Sequence, residues 1–371
     1  MIRGEINEIK KQFQKDSNVI TAFAGCYVDG EKNIKVLTQD SFYALPEEDS
    51  FKYQEIFRKT LSGTLGKSLL SLEFPLLAEG EGTAHEKLLA LRESRLKDAV
   101  ALQDFFRRII DSFQYPENYY IIAADLMYDI PGKAKDRMVM EDASQEVYHG
   151  ILVSICPVSL SKAALSYKAS QGIISNRERD WVVGAPMNGF LFPAFNDRTT
   201  DIHSFLYFSK KSEELKAEFM EEIFGIEAPM AAGEQRETMQ AILQDVLREE
   251  LNVEVLSSFS EHVSRLIEDH QAANDTPLIL SKPDMLRLIA KSGVSDEGVE
   301  AYERSQDTEI LVLAENIVDP KRFEVKAPGI TVKADSEHIS HLKTKMVEGR
   351  KCLVIEIEDD VEVNGMPVKT M

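Results

Sequence analysis

Cysteine is scarce in this chain: 371 residues hold three, Cys26, Cys156 and Cys352, far apart and without a CxxC pair. An odd, dispersed set argues against a disulfide framework and against a cysteine-based zinc site, so a reducing cytoplasm is the expected setting. Tryptophan is scarcer still, with Trp181 alone. No apolar run approaches the ~20 residues that span a bilayer. The opening stretch, MIRGEINEIKKQFQKD, is charged throughout and lacks the apolar core of a signal peptide. A membrane partner is therefore not expected. Positive charge is also short, with 43 Lys and Arg against 63 Asp and Glu and a formal net charge of −20. Such a surface repels nucleic acid and anionic lipid at long range and leaves only local basic patches to bind either.

Catalytic signatures are missing as well. There is no GxSxG elbow and no glycine-rich dinucleotide fingerprint. Ser62-Gly63-Thr64-Leu65-Gly66-Lys67-Ser68 ends like a phosphate-binding loop, but Leu61 stands where that loop needs its first glycine, and the preceding segment reads as helix. A helix stop followed by a turn is the expectation there. His338 and His341 are three apart with Glu337 outside them, unlike the four-residue spacing of a zinc protease helix.

What is present is a chain 43% hydrophobic and 29% charged, enough apolar content to fill a real core and long enough for two or three folding units. Ile2, Ile6, Ile9 and Phe13 recur at helical spacing. Val19 to Val28 reads as a strand, Asp29-Gly30 as a hairpin turn, and Ile34 to Leu37 as the return strand. Pro46 and the acids Glu47, Glu48 and Asp49 open a helix that Gly63 closes, and two more helices follow near 83–93 and 97–113. Asn118 to Tyr128 and Val147 to Val158 read as long buried strands joined by a Pro131-Gly132 turn and a polar loop. A β-rich pattern continues to residue 211. Helical spacing returns with Phe219, Ile223 and Phe224, then Met239 to Leu247, then Val263 to Ile267, with further helices near 282–291 and 295–304. The tail holds a hairpin around Pro328-Gly329, then Leu353 to Ile357 and Val361 to Val363 ahead of an Asn364-Gly365 turn.

Helices and strands alternate without regular βαβ order, which predicts an α+β fold. The expected architecture is an antiparallel β-rich N-terminal half with flanking helices, a helical middle segment and a small hairpin-rich C-terminal part. The expected division is 1–115 packing with 116–211, then 212–305, then 306–371.

The segment richest in polar groups runs from Arg177 to Lys211. Its candidate binding residues are Arg177, Arg179, Asp180, Trp181, Asn188, Asn196, Asp197, Arg198, Asp201 and His203. Residues 161–211 carry seven Lys/Arg against four Asp/Glu, a net of +3, so the remainder of the chain carries −23. Basic groups interleaved with Phe190, Phe192, Phe195, Tyr207 and Phe208 suit a local anion- or nucleic-acid-binding face. Residues 321–351 are likewise basic, with eight Lys/Arg against four acids. No residue is assigned as catalytic or as a metal ligand, and no cofactor is implied.

Three functional readings follow. The first is a non-enzymatic cytoplasmic binding or regulatory protein, nucleic-acid-associated through its locally basic faces. The second is a metal-assisted hydrolase or nuclease using Asp197, Asp201 and His203; Asp201 and His203, two apart, would share one strand face. The third is a homo-oligomeric scaffold with the helical stretch 213–304 as its interface. Partners would accordingly be a nucleic acid, a protein, or further copies of the chain.

The blocks CYVDGEKN (26–33), FRKTLSGTLGKSLL (57–70), NYYIIAADLMYDIPGK (118–133), SICPVSLSK (154–162) and RDWVVGAPMNGFLFPAFNDRTTDIHS (179–204) resemble a bacterial family catalogued as domain of unknown function 4317. That family implies no activity. A fainter similarity, resting on Phe224-Gly225 and the order of elements, is to the nucleoid-associated protein family, and it implies DNA association.

Overall fold

Strands that are apolar on both faces need cover on both sides, and the first part of the chain supplies it. The computed structural model describes residues 1–14, 18–133, 139–305, 311–357, 361–363 and 365–368. Its contacts divide into two units, Met1–Ala231 and Ala232–Met371. The fold is α+β.

In chain order the first unit comprises α1 (Arg3–Lys10), β1 (Ile20–Val28), β2 (Ile34–Ser41), α2 (Glu47–Thr60), β3 (Leu69–Glu73), α3 (Ala84–Glu93) and α4 (Ala99–Ser112). Then come β4 (Tyr119–Lys133), β5 (Val139–Leu160), β6 (Leu165–Lys168), β7 (Ile173–Asn176), β8 (Trp181–Val183) and β9 (Asn188–Phe192). The unit closes with β10 (Ala194–Asn196), β11 (Thr199–Asp201), β12 (Ser204–Ser209) and α5 (Ala217–Phe224). The main sheet has the order β2-β1-β4-β5-β9-β12-β3, antiparallel throughout, with β8 paired to the end of β5.

Period-two alternation sends successive side chains to opposite faces. Tyr119, Ile121 and Ala123 of β4, with Ile151, Val153 and Ile155 of β5, meet a core that also holds residues of α3, α4 and α5. Ile122, Ala124 and Leu126, with Leu152 and Cys156, meet the opposite core, which holds residues of α1 and α2. Helix starts are set locally: Thr83 caps α3 through the Glu86 amide, and Asp98 caps α4 through the amides of Val100 and Ala101.

Helix α5 belongs to this unit and does not open a separate helical segment. Phe219, Met220, Ile223 and Phe224 are fully buried in the first core, and the Phe224 ring stacks on Phe205 at 4.0 Å. Gly225, at φ +69°, ends the helix in the left-handed conformation that glycine adopts cheaply. Arg108 of α4, almost wholly buried, donates to the Glu222 carboxylate at 2.7 Å and joins the two helices.

One expectation about a turn needs correction, and one strand is added. Pro131-Gly132 is not a turn: β4 runs through both residues to Lys133, with register shifts on either side of Pro131. A proline cannot donate to the ladder, and a bulge absorbs it within the strand. The stretch Leu69–Glu73, unassigned by periodicity, forms edge strand β3 against β12.

The second unit comprises α6 (Ala232–Leu247), α7 (Val253–Ala273), β13 (Ile279–Leu280), α8 (Lys282–Lys291), α9 (Asp296–Arg304), β14 (Val312–Leu313) and α10 (Ala314–Ile317). Its core is Met239, Leu243, Phe259, Val263, Ile267, Leu288 and their neighbours. Three hairpins follow: β15 (Arg322–Ala327) with β16 (Ile330–Asp335), β17 (Leu342–Val347) with β18 (Arg350–Ile355), and β19 (Val361–Val363) with β20 (Met366–Val368). Leu353 to Ile355 thus pair backward with Leu342 to Thr344, across a turn with Glu348 at φ +49° and Gly349 at φ +75°. Asn364 of the expected final turn lies outside the described residues; Gly365 has φ +79°. Among the described residues, no helix is long and apolar enough to cross a membrane.

Candidate functional site

The ten residues singled out by sequence separate into two groups. One group is tied into the fold. Asn188 is buried in β9 beside Gly189. Asp197 and Arg198, at φ +50° and +58°, form the two-residue turn between β10 and β11, the geometry that suits a tight hairpin. The Asp197 amide donates to Glu5 at 2.6 Å, and the Arg198 guanidinium holds Glu8 at 2.8 Å and the Pro131 carbonyl at 3.1 Å. These contacts pin α1 and the far end of β4 to the turn.

Asp201 and His203 do not act on a common point. One Asp201 oxygen accepts from the His203 amide at 3.0 Å and the other from Asn196 at 2.6 Å, whereas the His203 ring turns to Glu79 at 2.9 Å. Burial works against the Asp201 charge, but hydrogen bonds from Ser204, Asn196 and the His203 backbone outweigh it and lower its pKa. The hydrogen bond to Glu79 raises the pKa of His203. Among the described residues, no group of three or more His, Cys, Asp or Glu is arranged to hold a metal ion.

The other group faces outward. Arg177 and Asp180 are exposed, and Arg179 donates through Nε to the Ser161 carbonyl at 2.7 Å, with no partner for its terminal amino groups among the described residues. Trp181 is 56% exposed on β8, and Val182 and Val183 beside it are also exposed. The three residues wall a cavity of about 690 Å³ with α2 and β4. That volume lies within the ~300–1,000 Å³ range of small-molecule sites.

The opposite wall is built by residues that sequence pattern did not single out. Helix α2 buries Phe57 and Thr60 on the sheet and turns Lys52, Tyr53, Ile56 and Lys59 toward the cavity. Lys59 pairs with Glu55 at 2.7 Å, which lowers the Glu55 pKa, while Lys52 has no ion-pair partner among the described residues. At the floor the Tyr53 and Tyr120 hydroxyls lie 3.3 Å apart. Burial, then the bond to Tyr53, pushes the Tyr120 pKa well up, so the phenol stays protonated. Its hydroxyl occupies space that only glycine leaves open: a Cβ on Gly25 would sit 2.0 Å from it. The site therefore offers an exposed indole, two phenols, the Lys52 ammonium and the Asp49 carboxylate, with two arginines on the segment leading into it.

Sequence spacing signals none of this convergence. Tyr53 and Ile56 look like an ordinary helix stripe, Tyr120 looks like a core strand residue, and Trp181 lies 61 positions further on. Only the antiparallel return of β5 and its pairing with β8 bring them together.

The fold and groove define an α+β protein with an aromatic-walled surface site. A family model described as a domain of unknown function (DUF4317) matches residues 1–366, and the chain belongs to that family. No curated protein matches the chain. The fainter likeness to the nucleoid-associated protein family gains no support from these comparisons.

Proposed function

We propose that this protein is a non-enzymatic binding protein whose ligand is single-stranded nucleic acid, held in the groove between Trp181 and α2. The observation that carries the reading is the exposure of the single Trp at the wall of a cavity of about 690 Å³ that Lys52 also lines, with Arg177 and Arg179 four and two residues earlier in the chain. An exposed indole offers a stacking face that every base can use, at about 1–3 kcal/mol per base. Bases in a duplex are already stacked, so a platform of this kind selects single strands. The arginines and Lys52 supply phosphate contacts, and the acidic remainder of the chain keeps the interaction short-ranged and sensitive to salt.

Because Trp181 is the only indole, its fluorescence reports the groove directly. Titration with a short oligothymidine at low salt should quench it in a saturable manner, and Arg179→Ala should weaken binding and flatten the salt dependence. An unquenched Trp181 at low salt, together with no mobility shift of the labelled strand, rejects the proposal.

A further inference from the structure

The second unit contains a separate cavity that the Trp181 groove does not explain. It lies between α6, α7 and β15 and has a volume of about 470 Å³. Its floor is apolar: Met239 and Leu243 of α6 and Phe259 of α7 are almost wholly buried, and Leu256 of α7 remains 37% exposed along one wall. Strand β15 closes the other wall with Phe323 and Val325, both half-buried.

The charges at its mouth are not equivalent. Glu324 is matched by Lys326 at 2.7 Å and Lys333 at 3.3 Å. Asp319 accepts from the Lys321 amide at 2.9 Å. Arg322 is exposed and has no ion pair or side-chain hydrogen bond among the described residues. An open guanidinium thus stands at the entrance to an apolar hollow, within residues 321–351, a stretch that carries eight Lys/Arg against four acids in a chain of net charge −20. A guanidinium presents paired donors that match a carboxylate.

We infer that this cavity binds an amphipathic carboxylate: a flexible hydrocarbon chain lies on Met239, Leu243 and Phe259, and its carboxylate meets Arg322. The apolar floor supplies affinity through burial of the chain, at about 0.8 kcal/mol per methylene. The Arg322 contact supplies the choice of head group. An uncharged head of the same length loses that contact, and an amphipathic cation meets repulsion from it.

The test uses the full-length protein and dodecanoate, kept below its micelle concentration, in calorimetric titration. One dodecanoate should bind per chain with saturation, and dodecanol should bind about tenfold more weakly. Arg322→Gln should bring dodecanoate down to the dodecanol level and leave dodecanol unchanged. Leu256→Trp, at a partly exposed position, should fill the hollow and remove both while the circular dichroism spectrum stays the same. The inference is overturned by non-saturable uptake, by equal binding of acid and alcohol, or by an Arg322→Gln variant that binds dodecanoate as before. Light scattering on the same samples adds one further contrary outcome: self-association that Leu256→Trp abolishes, with no dodecanoate bound, would assign the hollow to a second copy of the chain.

Discussion

The Nε2 of His149 on β5 lies 2.7 Å from Oδ1 of Asp125 on β4, and the Asp125 side chain is fully buried. The other carboxylate oxygen accepts from the Thr21 hydroxyl of β1. Asp125 therefore sits between two donors, which differs from a nucleophile–histidine–acid relay, where the histidine is central. Its role is to tie three adjacent strands together from within. The His149 carbonyl in turn accepts from Arg92 at 2.8 Å, so α3 is fastened to the same point.

His149→Ala removes one of the two donors to Asp125. A buried polar group left without its partner costs about 1–3 kcal/mol, more when it is charged. The expected result is an unfolding free energy lowered by that amount, read as a lower urea midpoint with unchanged slope, and Asp125→Asn, which can still bond both neighbours, should cost less. A His149→Ala unfolding free energy within about 0.3 kcal/mol of the parent would show that the contact contributes nothing net.

Gly25→Ala tests how the floor of the Trp181 groove is held. The added Cβ would sit 2.0 Å from the Tyr120 hydroxyl and 2.6 Å from its ring carbon. The ring must move, at about 1–3 kcal/mol as for other overpacked sites. Tyr120→Phe removes the nearer atom, so the double variant should be less destabilised than the two single variants added together. Additive thermal or urea shifts in this cycle would mean that the two residues do not press on each other.

The pair formed by His203 and Glu79 gives a dependence on pH. Glu79 raises the His203 pKa above its ordinary 6.5, so the folded state binds the proton more tightly than the unfolded chain. The resulting stability is fully present below about pH 6.5 and is lost as pH rises through the higher folded value. His203 is 64% exposed, so solvent screening limits the gain to about half a kcal/mol. His203→Gln should flatten that part of the stability profile. An unchanged profile, read from urea midpoints at pH 6 and pH 8, would discard the pair as its source.

Much of the first unit was legible in sequence because its strands obey period two and its helix starts carry their own caps. Val19–Val28 reads as a strand from its β-branched and aromatic residues alone, and β1 spans Ile20–Val28. What escaped was decided by partners distant in sequence. Leu69–Glu73 is too short to show a period and becomes a strand only because β12 offers it an edge. Pro131-Gly132 carries a turn signature that a bulge overrides once β5 lies alongside. In the site, Asp197, Arg198, Asp201 and His203 have the residue types of chemistry, yet their side chains and amides meet Glu5, Glu8, Asn196 and Glu79. Residue type was readable; the direction of each side chain was not.

The boundary between the units leads to the last prediction. Helical spacing alone groups Phe219, Ile223 and Phe224 with the helices that follow, but their side chains fill the core under β9 and β12. A chain ending at Ala231 keeps α5 and should unfold in one cooperative transition with native-like circular dichroism. A chain ending at Lys211 lacks Phe219, Met220, Ile223 and Phe224, all fully buried in the parent. Each such side chain contributes roughly 1.5–3 kcal/mol through burial, so their joint loss rivals the whole stability of a typical domain, about 5–15 kcal/mol. The shorter chain should therefore be unfolded or aggregated at 25 °C. Phe224→Ala in the full chain should destabilise it by about 3–5 kcal/mol, since the ring packs on Phe74, Phe190, Phe205 and Tyr207 at once. Cooperative melting of the chain that stops at Lys211 would detach α5 from the first unit.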